Sequence, residues 1–102
     1  MIISYSGREL RDSALSEYIG KLSFELINLE VLINVLSILN SCNNLEEFCL
    51  LFQKKISFEK IDLILEINKL ELVFRIANKK IYDYGQLTKI TRLQLVKVME
   101  HK

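Results

Sequence analysis

The apolar residues Leu22, Leu26, Leu29, Ile33 and Leu36 recur at alternating steps of four and three, the spacing that keeps side chains on one face of an α-helix. Phe24, Ile27, Val31, Leu32, Val35, Ile38 and Leu39 cover most of the remaining circumference, which predicts a central, nearly buried helix ended by Ser41-Cys42-Asn43-Asn44. Upstream, Ser6-Gly7-Arg8-Glu9 has the S-x-x-E form of a capping box, so a helix is expected from about Gly7, with Leu10, Leu15, Tyr18 and Ile19 on its apolar face and Gly20 as its stop or bend. Downstream, Asn44 is positioned to cap a shorter helix, Leu45 to Lys55. That helix carries Glu46 and Glu47 in its first turn and Lys54 and Lys55 in its last, the order that the helix dipole favours.

The segment Ile61 to Ile76 fits two periods. As a helix it carries two apolar stripes on opposite sides and demands burial on both. As a hairpin turning at Asn68-Lys69, it pairs Ile61, Leu63, Leu65 and Ile67 with Ile76, Phe74, Leu72 and Leu70 on one face. The other face then pairs Asp62 with Arg75, Ile64 with Val73 and Glu66 with Glu71, so the apolar exceptions to the alternation meet each other. The hairpin is the more economical reading. Ala77-Asn78-Lys79-Lys80 is expected to form the next turn and Ile81-Tyr82-Asp83-Tyr84 a short third strand ended by Gly85. Between Leu87 and Met99 the apolar residues point all round a helix, whereas Thr88, Thr91, Val96 and Val98 favour extended chain, and Arg92 to Val98 is read as a strand. The expected fold is α+β, with N-terminal helices over about 7–55 packed on a C-terminal antiparallel sheet over about 60–99. Against it stand the absence of Pro and the scarcity of Gly, which suit an all-α bundle of four helices with Gly85 capping the third.

A length of 102 residues, half of them apolar, predicts one folded domain and excludes collagenous or disordered classes. So small a body with so much apolar side chain leaves apolar surface over, which points to a partner or a second copy of the chain. Cys42 and Cys49 lack the spacing of a zinc site and are read as reduced core thiols. No basic start or apolar signal segment opens the sequence, so the cytoplasm is the expected location. The most apolar window, Leu22 to Leu39, is interrupted by Glu25, Asn28, Glu30 and Asn34, which argues against a membrane span.

Little in the chain serves catalysis. Its one histidine, His101, is the penultimate residue, and Asp12, Asp62 and Asp83 stand in different expected elements. Glycine occurs only at positions 7, 20 and 85, too sparsely for a phosphate-cradling loop. These features predict a non-catalytic protein without metal or cofactor.

The net charge of +1 conceals an uneven distribution. Met1 to Gln53 holds three bases against seven acids, and Lys54 to Lys102 holds eleven bases against six acids. A divided surface of this kind suits a small cytoplasmic inhibitor, an immunity or antitoxin-like protein, or an adaptor subunit. The acids expected to meet a basic protein partner are Glu9, Asp12, Glu17, Glu46 and Glu47, while the sheet edge is the expected place for self-association as a dimer. The alternative is a small nucleic-acid-binding regulator, in which Lys79, Lys80, Lys89 and Arg92 follow phosphates and Tyr82 and Tyr84 stack on bases. In each case the ordinary reading competes: acids on helices are solvated faces, and tyrosines beside a sheet roof the core.

Overall fold

The computed structural model describes residues 1–6 and 26–101. Along these residues run strand β1 (Ile2–Tyr5), helix α1 (Leu26–Ser41), helix α2 (Leu45–Leu51), a 3-10 turn (Gln53–Lys55), strands β2 (Ile56–Glu59), β3 (Asp62–Ile67) and β4 (Leu70–Ile76), a second 3-10 turn (Leu87–Lys89) and strand β5 (Arg92–Glu100). The strands form one sheet in the order β1-β5-β4-β3-β2. The fold is α+β, and the four-helix bundle does not form.

The β3–β4 hairpin has the register expected from side-chain complementarity, with Asp62 opposite Arg75, Leu63 opposite Phe74, Ile64 opposite Val73, Leu65 opposite Leu72, Glu66 opposite Glu71 and Ile67 opposite Leu70. Leu63, Leu65, Leu70, Leu72 and Phe74 are buried on one face. Asn68 opens the turn at φ 53°, in the left-handed region that asparagine tolerates better than most residues. Ile61 does not pair with Ile76. It sits with Lys60 in the turn joining β2 to β3, where Glu59 and Asp62 form the last cross-strand pair.

The structure corrects four further expectations. The sheet is mixed, because β1 runs parallel to β5, with Ile3 beside Leu93 and Tyr5 beside Leu95. This partly buries the alternate residues Ile3 and Tyr5 of a short N-terminal segment. The sheet also begins earlier than residue 60, because Ile56 and Phe58 alternate with Ser57 and Glu59 and pair with Leu65 and Leu63. Residues 81–84 form no strand; the neighbour of β4 is β5, whose longer apolar edge covers Leu72, Phe74 and Ile76. The helix expected over 45–55 ends at Leu51, and Lys54 and Lys55 fall in the 3-10 turn. The helix expected from Gly7, with its end at Gly20, lies outside the described residues; Ser6 itself donates its hydroxyl to the Val96 carbonyl at 3.1 Å.

Helix α1 is amphipathic rather than buried all round. Leu29, Leu32, Val35, Leu36 and Leu39 are buried, whereas Glu30, Ile33, Asn34, Ser37 and Asn40 face outward, so Ile33 leaves the stripe assigned to it. Leu32, Val35, Leu36 and Leu39 join Leu45 and Phe48 of α2 and the inner residues of β3, β4 and β5 in one apolar cluster. Each fully buried leucine or phenylalanine contributes about 1.5–3 kcal/mol through removal from water. The Asn28 carboxamide, buried at the edge of this core, donates to Glu100 at 2.7 Å, which satisfies it. Among the described residues no helix is long and apolar enough to cross a membrane.

Candidate functional site

Between β4 and β5 the chain makes a long excursion over residues 77–91, closed at its base. Ala77 N–H donates to the Arg92 carbonyl at 2.9 Å. The Asn78 side-chain oxygen accepts from the N–H groups of Thr91 at 3.0 Å and Arg92 at 2.9 Å, while its nitrogen donates to the Thr91 hydroxyl at 3.0 Å. A loop whose ends meet and whose own side chains fill it behaves as a compact surface unit, a common carrier of binding function.

Three anchors press this loop onto the body. Ile90 is fully buried, and its carbonyl accepts from Leu45 N–H at 2.8 Å, satisfying one of the free donors at the start of α2. Ile81 and Leu87 pack against the core from the two arms. Tyr84 lays its ring on Phe58, centroids 4.7 Å apart, and donates its hydroxyl to the Ile61 carbonyl at 2.7 Å. Burial, reinforced by the nearby Asp62 carboxylate, pushes the Tyr84 phenol up to about 12. Tyr84 is therefore a structural residue, fixing the loop to the β2–β3 turn.

Two depressions flank the ridge formed by Ile81 and Tyr82. On one side Ile61, Arg75, Ile76, Ile81 and Tyr82 line a groove of about 200 Å³. On the other, Lys80, Tyr82, Asp83, Gln86 and Lys89 are among the residues that enclose a cleft of about 460 Å³ inside the loop. Asp83 is oriented by its own backbone: one oxygen accepts from Gly85 N–H at 2.9 Å. A Cβ at position 85 would stand 3.0 Å from that oxygen, so glycine leaves room for this tight local bond. Phe58, Ile61 and Tyr82 are 47%, 53% and 80% exposed, and they are linked through Tyr84 and the small groove into one apolar rim at the end of the sheet.

No family model, curated protein or solved structure matches the chain.

The residues singled out from the sequence are distributed unevenly over this geometry. Lys80, Tyr82 and Lys89 line the same cleft. Lys79 is exposed beside it, and Arg92 lies past the loop base on the sheet. Tyr84 does not share a face with Tyr82, because no strand forms there and its ring is occupied by Phe58. Of the five acids, Glu9, Asp12 and Glu17 lie outside the described residues, and Glu46 is exposed. Glu47 is committed locally: its carboxylate accepts from Asn43 N–H at 2.7 Å and the Asn43 carboxamide at 3.2 Å, while its own N–H donates to the Asn44 side chain at 3.2 Å. That reciprocal cap explains why an acid stands at this position. Cys42 and Cys49 are free thiols, and burial raises both, Cys49 to about 11. Among the described residues no three His, Cys, Asp or Glu side chains converge to hold a metal.

Phe58, Ile61, Gln86 and Asn78 were given no functional role by the sequence, although Ile61 and Asn78 were placed in the hairpin and in the following turn. The alternation Ile56-Ser57-Phe58-Glu59 was the available signal for Phe58, masked because its strand has only four residues. Asn78 shows no local pattern, since its partners Thr91 and Arg92 are met only by tertiary closure.

Proposed function

We propose that this protein is a non-catalytic protein-binding module of the inhibitor or adaptor kind, and that it docks its partner at the end of the sheet formed by the β2–β3 turn and the Ile81–Tyr82 ridge. The observation that carries this reading is the apolar rim of Phe58, Ile61 and Tyr82, all large and about half or more exposed. Aromatic and apolar anchors around a small groove are the usual nucleus of a protein interface. The partner's chemistry follows from the border of the groove: Lys60 stands beside Ile61 and the exposed Lys79 precedes the ridge, while Arg75, which lines the groove, is already paired with Asp62. A partner segment carrying an apolar side chain between carboxylates complements that surface. Strand β2 adds support, because it ends the sheet, and among the described residues no backbone bond engages its outer edge.

On this reading Glu46 and Glu47, the two of the acids named from the sequence that lie among the described residues, are not the contact surface. Glu47 serves the α2 cap, and Glu46 is on a different element from the rim.

The test is affinity capture from the native cells after nuclease treatment, with wild-type protein, Ile61→Asp, Tyr82→Ser and the control Glu46→Lys. The expected result is one stoichiometric protein partner, held by wild type and Glu46→Lys and lost from both rim variants. Equal retention by all four proteins overturns the docking site. A doubled mass in light scattering with no other protein retained replaces the partner with a second copy of the chain.

A further inference from the structure

We infer that the 460 Å³ cleft inside the 78–91 loop is a binding site for a nucleotide unit, with Lys80 and Lys89 holding phosphate and the Tyr82 ring stacking on the base. This inference concerns the cleft rather than the docking groove; the two share Ile81 and Tyr82, but the inference does not rest on the protein-binding reading.

Three observations carry it. First, Lys80 and Lys89 come from the two arms of the loop and are brought to one cleft by the Asn78–Thr91 closure. Neither lysine forms an ion pair among the described residues, where Arg75 pairs with Asp62, although the Asp83 carboxylate lines the same cleft and leaves it a net charge of one positive unit. Two lysines converging on one cavity, with a single carboxylate turned toward the Gly85 N–H, form a favourable seat for a phosphate, which carries up to two negative charges. Second, Tyr82 is 80% exposed and makes no hydrogen bond or ring contact, in contrast to Tyr84, both of whose functional parts are used by the fold. An aromatic face kept free beside paired cations selects a ligand that is both anionic and planar, which separates a nucleotide from a simple anion. Third, the cleft offers groups for a base edge. The Gln86 carboxamide can donate and accept, and Asp83, with one oxygen fixed by Gly85, keeps a second oxygen as an acceptor for a base N–H, whether the ring N–H of uracil or the exocyclic amine of adenine.

The site is preorganised. Ile81, Leu87 and Ile90 root the loop in the core, and the Tyr84 hydroxyl ties it to Ile61, so little ordering is required when a ligand enters. The chemistry is shared by a free mononucleotide and by one unit of a single strand, and the ligand series separates the two.

The experiment is a titration of the ¹⁵N-labelled full chain, followed by amide NMR, with adenosine 5′-monophosphate, with a ten-nucleotide oligouridylate and, separately, with inorganic phosphate. Saturable shifts confined to residues 79–90 are expected with at least one of the two nucleotide probes. A much tighter oligouridylate assigns the site to single strands, and equal or better affinity for the mononucleotide assigns it to free nucleotides. The Lys80→Ala/Lys89→Ala variant is expected to lose at least tenfold in affinity, and Tyr82→Leu at least about fivefold, from the stacking contribution of one base. With oligouridylate the logarithm of affinity is expected to fall against that of salt with a slope of roughly −1.4, two phosphate contacts' worth. All three residues are at the surface of the cleft, and an unchanged spectrum outside the loop verifies that the variants fold. Absence of shifts with both nucleotide probes, shifts outside 79–90, undiminished binding by either variant, or inorganic phosphate binding as tightly as the nucleotides overturns the inference.

Discussion

The Asn78 carboxamide grips Thr91 from both of its ends, accepting from the backbone N–H and donating to the hydroxyl, each at 3.0 Å. With the Arg92 N–H added at 2.9 Å, one side chain closes the loop that carries both flanks of the Ile81–Tyr82 ridge. Asn78→Ala leaves two backbone donors without their acceptor and is expected to destabilise the protein by about 1–3 kcal/mol. Asn78→Asp keeps the acceptor and is expected to lose less. Urea denaturation gives the magnitudes, and hydrogen exchange locates them: faster exchange at Lys89, Ile90 and Thr91 in the alanine variant, with β3 and β4 protected as before. Uniformly faster exchange across the sheet would show that Asn78 acts on the whole fold rather than on the loop.

Helix α2 separates buried from exposed apolar positions within one turn. Phe48 is fully buried and stacks near Phe52 at 4.8 Å, whereas Leu50 is 61% exposed. Phe48→Ala is expected to cost about 3–5 kcal/mol. Leu50→Ala is expected to stay within about 0.5 kcal/mol of wild type. The two urea midpoints check the orientation of the helix, and similar losses would contradict it.

Alkaline pH acts on two half-buried groups. The Cys49 thiol rises from 9.0 to about 11 and the Tyr84 phenol from 10.0 to about 12, each chiefly because burial disfavours the charged form. In both cases the folded protein holds a proton that the unfolded chain releases, so the stability they contribute is complete below pH 9 and declines as pH rises through 11 and then 12. Thermal melts from pH 8 to 12 are expected to show this decline. Tyr84→Phe is expected to lower stability at pH 8, through loss of the bond to Ile61, and to flatten the upper part of the curve. An equally steep fall above pH 10 in the phenylalanine variant would place the effect elsewhere. The same raised value makes Cys49 slow toward thiol reagents at pH 8 in the folded state.

Lys60 adopts φ 56° in the β2–β3 turn, a left-handed conformation that disfavours a side chain with a Cβ. Lys60→Gly is therefore expected to raise stability by up to about 1 kcal/mol, offset in part by the added freedom of the unfolded chain. Lys54→Gly, in the preceding 3-10 turn, is expected to lower it. Denaturation midpoints of the two variants moving in the same direction would contradict the turn geometry.

Much of the fold was legible where side-chain pairing is dense. The β3–β4 register followed from the coincidence of Ile64 with Val73 and of Asp62 with Arg75, and the α2 cap from Asn44 followed by Glu47. Strand β5 was harder, because a bulge opposite Val73 and Phe74 leaves Val96 unpaired and shifts Val98 onto the face of Leu93 and Leu95. That extra residue erases the period of two from the sequence while keeping it in space. Strand β1 was missed because four residues carry too little alternation to register, and their pairing depends on β5 at the far end of the chain. For the candidate site, Lys80, Tyr82 and Lys89 stood out as bases with a nearby aromatic ring, but their convergence depends on Asn78 and on the anchoring of Ile90, both tertiary facts.

The most direct test of the protein-binding account is calorimetric titration of the purified captured partner into wild-type protein, Ile61→Asp, Tyr82→Ser and Glu46→Lys. The account predicts at least a tenfold loss of affinity in each rim variant, from removal of a central apolar anchor, and wild-type affinity for Glu46→Lys. Wild-type affinity in both rim variants, or a loss confined to Glu46→Lys, would contradict it and return the interface to the acidic face of α2.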